Sequence, residues 1–302
     1  MTVCVAAICE SGTRIIGASD RMLTAGDMIE FEPPQSKIWA VTSSIIVMAS
    51  ADTSIQTEIL KNVELEVKAR ILSEPSKWWR VRDVAELYSH HYGEIRLKRA
   101  ENVILKPLGL NRDSFIARQQ EMEPEFVNQV ATNLKDFKLP GISAIFAGID
   151  NDGPQSNIDD QLVYSHIYSA NGSEITCQDT IAFAAIGIGG WHAEFQFMFT
   201  RHTRQRKFPE TLLLTYSAKK YAEVAPGVGK YTDMFSIGPG LGVSAYLEPH
   251  IIDGFERIYQ NNRKEIERVN KRAEKKAKEY VEEITRSTTQ KLQTADAKEP
   301  KI

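Results

Sequence analysis

The sequence predicts an α+β fold, a four-layer αββα sandwich with an added C-terminal amphipathic helix. Three observations predict it. β-prone apolar runs open the chain at 3–9 and return at 142–149, each the length of a buried strand. Paired segments at 53–100 and 192–224 carry helical patterns. The order of strands, two helices, strands, two helices suits a sheet sandwich covered by helix pairs on both faces.

The elements follow in order. Residues 3–9 read as a buried strand, Glu10-Ser11-Gly12 as a turn and 13–19 as the returning strand of a hairpin. Residues 20–26 are turn-rich. A second strand pair spans 37–41 and 45–49, joined by Thr42-Ser43-Ser44. Asp52-Thr53-Ser54 offers N-cap chemistry to a helix whose Ile55, Ile59, Leu60, Val63 and Val67 share one face. A second helix runs from about Arg80 to Ala100, with Val84, Leu87, Tyr88, Tyr92 and Ile95 on one side. Pro107, Leu110, Asn111 and Pro124 interrupt an insert at about 101–138, where a short helix fits Phe126 to Leu134. Further strands fit 142–149, 161–169 and 181–186, with turns at Asn151-Asp152-Gly153 and Asn171-Gly172-Ser173. Helices at 192–203 and 209–224 precede a strand at 232–237. Residues 1–250 are thus read as one domain and 251–290 as a long charged helix, with Ile266, Val269, Ala273, Ala277, Tyr280 and Ile284 on one narrow stripe. Residues 291–302 are expected to form a disordered tail.

Bulk properties exclude several classes. The 302 residues are 42% hydrophobic and 25% charged, an ordinary globular balance. A formal net charge of -3 argues against a nucleic-acid or anionic-membrane surface. No apolar run reaches the roughly 18 residues of a membrane span. Cys4, Cys9 and Cys177 form no CxxC pair and no zinc spacing, which suits a reducing, cytoplasmic setting. The adjacent His90 and His91 point to different sides of a helix, so no metal is expected. The glycine-rich segments at 187–190 and 238–242 match no phosphate-loop fingerprint, and no cofactor is expected.

Thr2 carries the chemistry. It follows Met1 directly and opens the first strand. Removal of Met1 would give one residue both a hydroxyl nucleophile and an α-amine base, with a reference pKa near ~8. Further along, Asp20-Arg21-Met22-Leu23-Thr24-Ala25-Gly26, Ser36-Lys37-Ile38, Ala49-Ser50-Ala51-Asp52, Gly148-Ile149-Asp150, Ala184-Ala185-Ile186-Gly187-Ile188-Gly189-Gly190 and Ala225-Pro226-Gly227 occur in a recognisable order. Over most of residues 2–240 the chain resembles the proteasome β-type N-terminal nucleophile hydrolases and their bacterial homologues.

The resemblance implies a threonine-type peptidase with Thr2 as nucleophile, its α-amine as base, and Lys37 and Asp20 as the supporting charged pair. It implies that Ala51 N–H points at the oxyanion, that Thr24 pairs with the substrate backbone, and that Leu23 and Ala49 line the specificity pocket. It implies a homo-oligomer, a ring or stacked rings, that admits peptides or unfolded proteins, and leaves open whether an ATPase or other cap serves it. The chain also departs from the family. Asp20 lies two residues further from Thr2 than the pattern expects. Ile188 and Pro226 replace serines, and Glu223 replaces an aspartate, at the positions that tune the α-amine. Proline donates from neither side chain nor backbone. Two alternatives stay open: a catalytically weak or inactive proteasome-like assembly protein, and a non-proteolytic N-terminal nucleophile amidase acting on a small amide.

Overall fold

Two antiparallel sheets carry the fold, and the computed structural model describes residues 2–25, 29–50, 52–150 and 164–296. The first sheet is built on β1 (Cys4–Cys9) and β2 (Arg14–Ser19). All six residues of β1 are buried. Cys4, Ala6 and Ile8 join a core cluster with Ile46, Met48 and Ile145, while the other face of the strand packs against the helices of 190–222. A strand buried on both faces needs an apolar run rather than an alternating one, which is why 3–9 reads as continuous. Glu10, Ser11 and Gly12 turn the chain with positive φ at each position.

A two-stranded hairpin follows, β3 (Leu23–Ala25) and β4 (Ile29–Phe31). Then come β5 (Ile38–Ala40) and β6 (Ile45–Ser50) of the second sheet. Ile46 and Met48 face the first sheet, and Ile45, Val47 and Ala49 face two helices, α1 (Thr53–Ser73) and α2 (Val81–Ala100). Asp52 caps α1 by accepting from Ser54 N (2.8 Å) and Ile55 N (3.1 Å). Buried Gln56 ties α1 to the sheet through Ser50 O (2.8 Å) and Ser143 O (3.2 Å), and Tyr88 Oη of α2 donates to its Oε1 (2.8 Å).

The insert is more helical than expected. The chain leaves α2 through a π turn at Glu101–Leu105 and a 3₁₀ turn at Lys106–Leu108, then forms α3 (Arg112–Arg118) and α4 (Pro124–Asp136) around Leu105, Leu110, Phe115 and Val130. Pro124 starts α4 rather than breaking it, because the first turn has no use for its missing N–H. Arg96 donates to the carbonyls of Leu134, Lys135 and Phe137 and closes the other end of that helix.

The second sheet continues with β7 (Ser143–Asp150), β8 (Tyr164–Asn171) and β9 (Glu174–Cys177), in the order β5-β6-β7-β8-β9. The turn expected at 151–153 and the start of the 161–169 strand lie outside the described residues. After β10 (Phe183–Ile186) come α5 (Gly190–Phe199), α6 (Phe208–Ala222), β11 (Asp233–Ile237) and β12 (Ser244–Tyr246), giving the first sheet its order β10-β1-β2-β11-β12. The short strands β3, β4, β9 and β12 carry too few residues for a periodic signal.

The chain divides into two compact units, Met1–Ile252 and Asp253–Ile302. The last helix, α7 (Pro249–Asp296), forms nearly all of the second. It runs into the stretch expected to be a disordered tail, and residues 297–302 lie outside those described. Ile266, Val269, Tyr280 and Ile284 of its stripe are exposed. No helix among the described residues is long and apolar enough to cross a membrane.

A charged bridge joins strands of the second sheet. His166 Nδ1 lies 2.7 Å from Asp179 Oδ2, and its Nε2 lies 3.2 Å from Asp150 Oδ1. Burial alone would lower the imidazole pKa, but Asp150 and Asp179 outweigh it and raise the pKa from 6.5 to about 9. A raised folded pKa contributes stability that is fully present below pH 6.5 and is lost as pH rises through about 9. The unfolding free energy is therefore expected to fall over that window, and His166→Gln to flatten the slope. Denaturant unfolding at the two ends of the window checks this; an equal slope in the variant would refute it.

Candidate active site

Antiparallel pairing of β1 and β2 sets Cys4 opposite Ser19, so the residues before β1 and after β2 meet at one end of the first sheet. Thr2 and Asp20 are those residues, and they are 1% and 0% exposed. Lys37 reaches them from the second sheet, immediately before β5. Ser36 Oγ accepts from Ile38 N (3.2 Å) and fixes that strand start.

The three side chains touch. Thr2 Oγ1 donates to Asp20 Oδ1, and Lys37 Nζ donates to Thr2 Oγ1. Lys37 Nζ also pairs with Asp20 Oδ1 at 2.9 Å. Three backbone amides complete the carboxylate: Val3 N–H on Oδ1 (2.9 Å), and Met22 N–H (3.0 Å) and Gly229 N–H (2.9 Å) on Oδ2. Arg21 anchors the segment after Asp20 by pairing with Asp233 of β11, its Nη2 lying 2.6 Å from Oδ1. A hydroxyl held between an ammonium and a carboxylate is prepared for nucleophilic use: the cation favours the alkoxide, and the carboxylate holds the cation in place.

The neighbouring cysteine does not compete for that role. Burial pushes the Cys4 thiol up to about 12, and its Sγ donates to Ala49 O (3.8 Å), so it stays protonated at neutral pH.

Gly187 closes the other side. A Cβ there would stand 2.2 Å from Thr2 O and 2.7 Å from Thr2 Cγ2, and its φ is +86°. Only glycine accepts both constraints. Gly187→Ala is expected to cost about 1–3 kcal/mol of stability and to displace Thr2. A urea-denaturation midpoint equal to that of the unchanged chain would contradict it. Gly189 N–H donates to Thr2 O (3.2 Å) and secures the same contact. A cleft of about 410 Å³ opens beside Gly187, lined among others by Ser143, Gln178, Ile186, Trp191 and Glu194.

The other expected positions divide. Leu23 is half-buried on β3, and Thr24 sits on the same strand, paired with Glu30. Ala49 is buried in the core cluster beneath α1 and α2. Ala51 lies outside the described residues. Ile188 is 48% exposed. Pro226 is exposed too, in a turn closed by Val228 N–H on Ala225 O (3.2 Å). Glu223 is engaged by Lys219 (2.7 Å) and Lys220 (2.8 Å).

Sequence reading missed Gly229 and Lys219. A backbone donor leaves no mark in a sequence when its acceptor is far away along the chain. Lys219 does leave one: it falls in the spacing Leu212, Thr215, Lys219, Ala222, the buried side of α6. Among the described residues, no group of three or more His, Cys, Asp or Glu side chains is arranged to hold a metal ion. No protein-family model matches the chain, and no curated protein matches it either.

Proposed function

We propose that the protein is an N-terminal threonine hydrolase of the proteasome type, which cleaves peptide bonds once Met1 is removed. One observation carries this: the Thr2 hydroxyl lies against both Lys37 and Asp20, an ion pair with a fully buried carboxylate whose partners come from the two sheets. Two face-to-face sheets, with α1 and α2 outside one and α5 and α6 outside the other, support the αββα sandwich that the family resemblance implies.

In this mechanism Thr2 Oγ attacks the substrate carbonyl carbon. Its proton passes through water to the freed α-amine of Thr2. The resulting oxyanion meets the Ala51 N–H, the donor that the family resemblance assigns. The C–N bond then breaks, the leaving amine takes the proton, and water cleaves the Thr2 ester. Lys37 stabilises negative charge on Oγ, and Asp20 holds Lys37 against Thr2 through their 2.9 Å ion pair. Leu23 and Thr24 on β3 offer an edge on which an extended substrate pairs. A homo-oligomer, a ring or stacked rings, would restrict the site to peptides and unfolded chains. Three unpaired cysteines, two of them buried, fit a cytoplasmic setting.

A catalytically weak assembly protein is the second reading. It is favoured by the exposed Ile188, by Pro226 and by the lysine partners of Glu223, which together leave the α-amine without its family partners. Treatment with an epoxyketone or β-lactone followed by intact mass spectrometry separates the two. The hydrolase should lose Met1 and gain one adduct on Thr2. A retained Met1, or no adduct where a control proteasome is labelled, would sink the enzyme.

A further inference from the structure

Lys219 is 0% exposed, and its ammonium has three acceptors: Glu223 Oε1 (2.7 Å), Gly229 O (2.8 Å) and Lys230 O (3.0 Å). An ammonium offers three protons, so it is fully satisfied. A buried charge is costly, and an apolar residue of similar length would fill the same volume without it. Burial pulls the Lys219 pKa below its ordinary value, and the carboxylates of Glu223 and Asp20 oppose that shift.

Two of the three acceptors are carbonyls of one turn, and that turn supplies Gly229 N–H to Asp20 Oδ2. Gly229 is thus held from two directions, by Lys219 on its carbonyl and by Asp20 on its amide. Glu32 packs against the same turn: a Cβ at Gly229 would stand 1.9 Å from Glu32 Oε1, and Glu32 accepts from Tyr231 N–H (3.1 Å).

We propose that Lys219 is a positioning residue for the threonine site: it orders the Gly229–Lys230 turn and so aims the Gly229 amide at Asp20. Asp20 in turn holds Lys37 and Thr2. The kinetic consequence rests on the hydrolase reading given above; the structural one does not.

Hydrogen exchange with mass spectrometry on the full chain tests the structural part. Lys219→Met is expected to speed exchange about tenfold in the peptide containing Gly229 and, in step, in those containing Val3 and Met22, whose amides also bind Asp20. Peptides of α1 and α2 should not change. Faster exchange at Gly229 with Val3 and Met22 unchanged would overturn the proposal, as would no change at all. If Lys219→Met loosens every segment alike, K219M/E223Q removes the charge pair together, and the same outcomes decide. The kinetic part uses hydrolysis of a fluorogenic peptide. Lys219→Met should lower kcat by about a hundredfold at unchanged KM, as a small misplacement of catalytic groups does, and Lys219→Arg should restore part of it. Coupled exchange in a chain that hydrolyses nothing sinks the hydrolase and keeps the positioning role. Hydrolysis with an unchanged kcat in Lys219→Met sinks the positioning role alone.

Discussion

Thr2→Ala is expected to lower kcat for peptide hydrolysis by roughly 10⁴-fold or more, the scale seen when a covalent nucleophile is removed. In the proposed mechanism the hydroxyl oxygen is the nucleophile, and neither of two nearby candidates is placed to replace it. Cys4 is a buried thiol with its pKa pushed up to about 12, and Ser19, opposite Cys4 across the hairpin, lies within β2 and is fully buried. Thr2→Ser keeps the oxygen and should keep most of the rate. The effect on folding should be the smaller one. Asp20 retains Lys37 and three backbone amides when the Thr2 hydroxyl goes, so the loss is that of the hydroxyl's two hydrogen bonds, to Asp20 and from Lys37, about 1 kcal/mol each. Paired measurements of kcat and urea unfolding check both halves. A Thr2→Ala chain that cleaves peptide at the original rate ends the proposed mechanism, and one that is largely unfolded means that Thr2 is a structural residue first.

Asp20→Ala has the opposite signature, with stability as the larger effect. Its carboxylate is fully buried and takes donors from Thr2, Val3, Met22, Lys37 and Gly229. Removing it leaves the Lys37 ammonium without its carboxylate and the backbone amides without an acceptor. Breaking one partner of a buried ion pair costs about 3–5 kcal/mol, and each stranded amide adds about 1–3 kcal/mol less whatever water recovers. Lys37 limits the total, because its side chain is 11% exposed and can turn to solvent. Asp20→Asn keeps the volume and one acceptor oxygen, so it should cost less while still removing the charge that Lys37 pairs with. Urea unfolding ranks the three chains. Equal midpoints for Asp20→Ala and the unchanged protein would mean that this cluster does not hold the fold's end together.

Much of this was legible in sequence because the forces are local. The β-prone apolar run at 3–9, cut short by Glu10-Ser11-Gly12, reads as a buried strand, and Asp52 with the spacing Ile55, Ile59, Val63 marks α1 without any tertiary information. The insert was legible only in part: the helix expected at 126–134 is the body of α4, while α3 and the turns before it gave no pattern. Pro107 and Pro124 look like breaks, yet each stands in the opening turn of a helical segment. The strands of hairpin β3–β4 are too short to show a period.

The same division holds at the site. Asp20 and Lys37 stood out as candidates by family resemblance alone, and Thr2 by its place behind Met1 as well, with a hairpin that returns to it. Tertiary structure alone decided that Lys37 arrives from the other sheet, that Ala49 turns into the core, and that Gly229 and Lys219 belong to the Asp20 network. The reason is physical. Periodicity and capping act over a few residues, whereas a buried carboxylate gathers donors from wherever the packed sheets bring them.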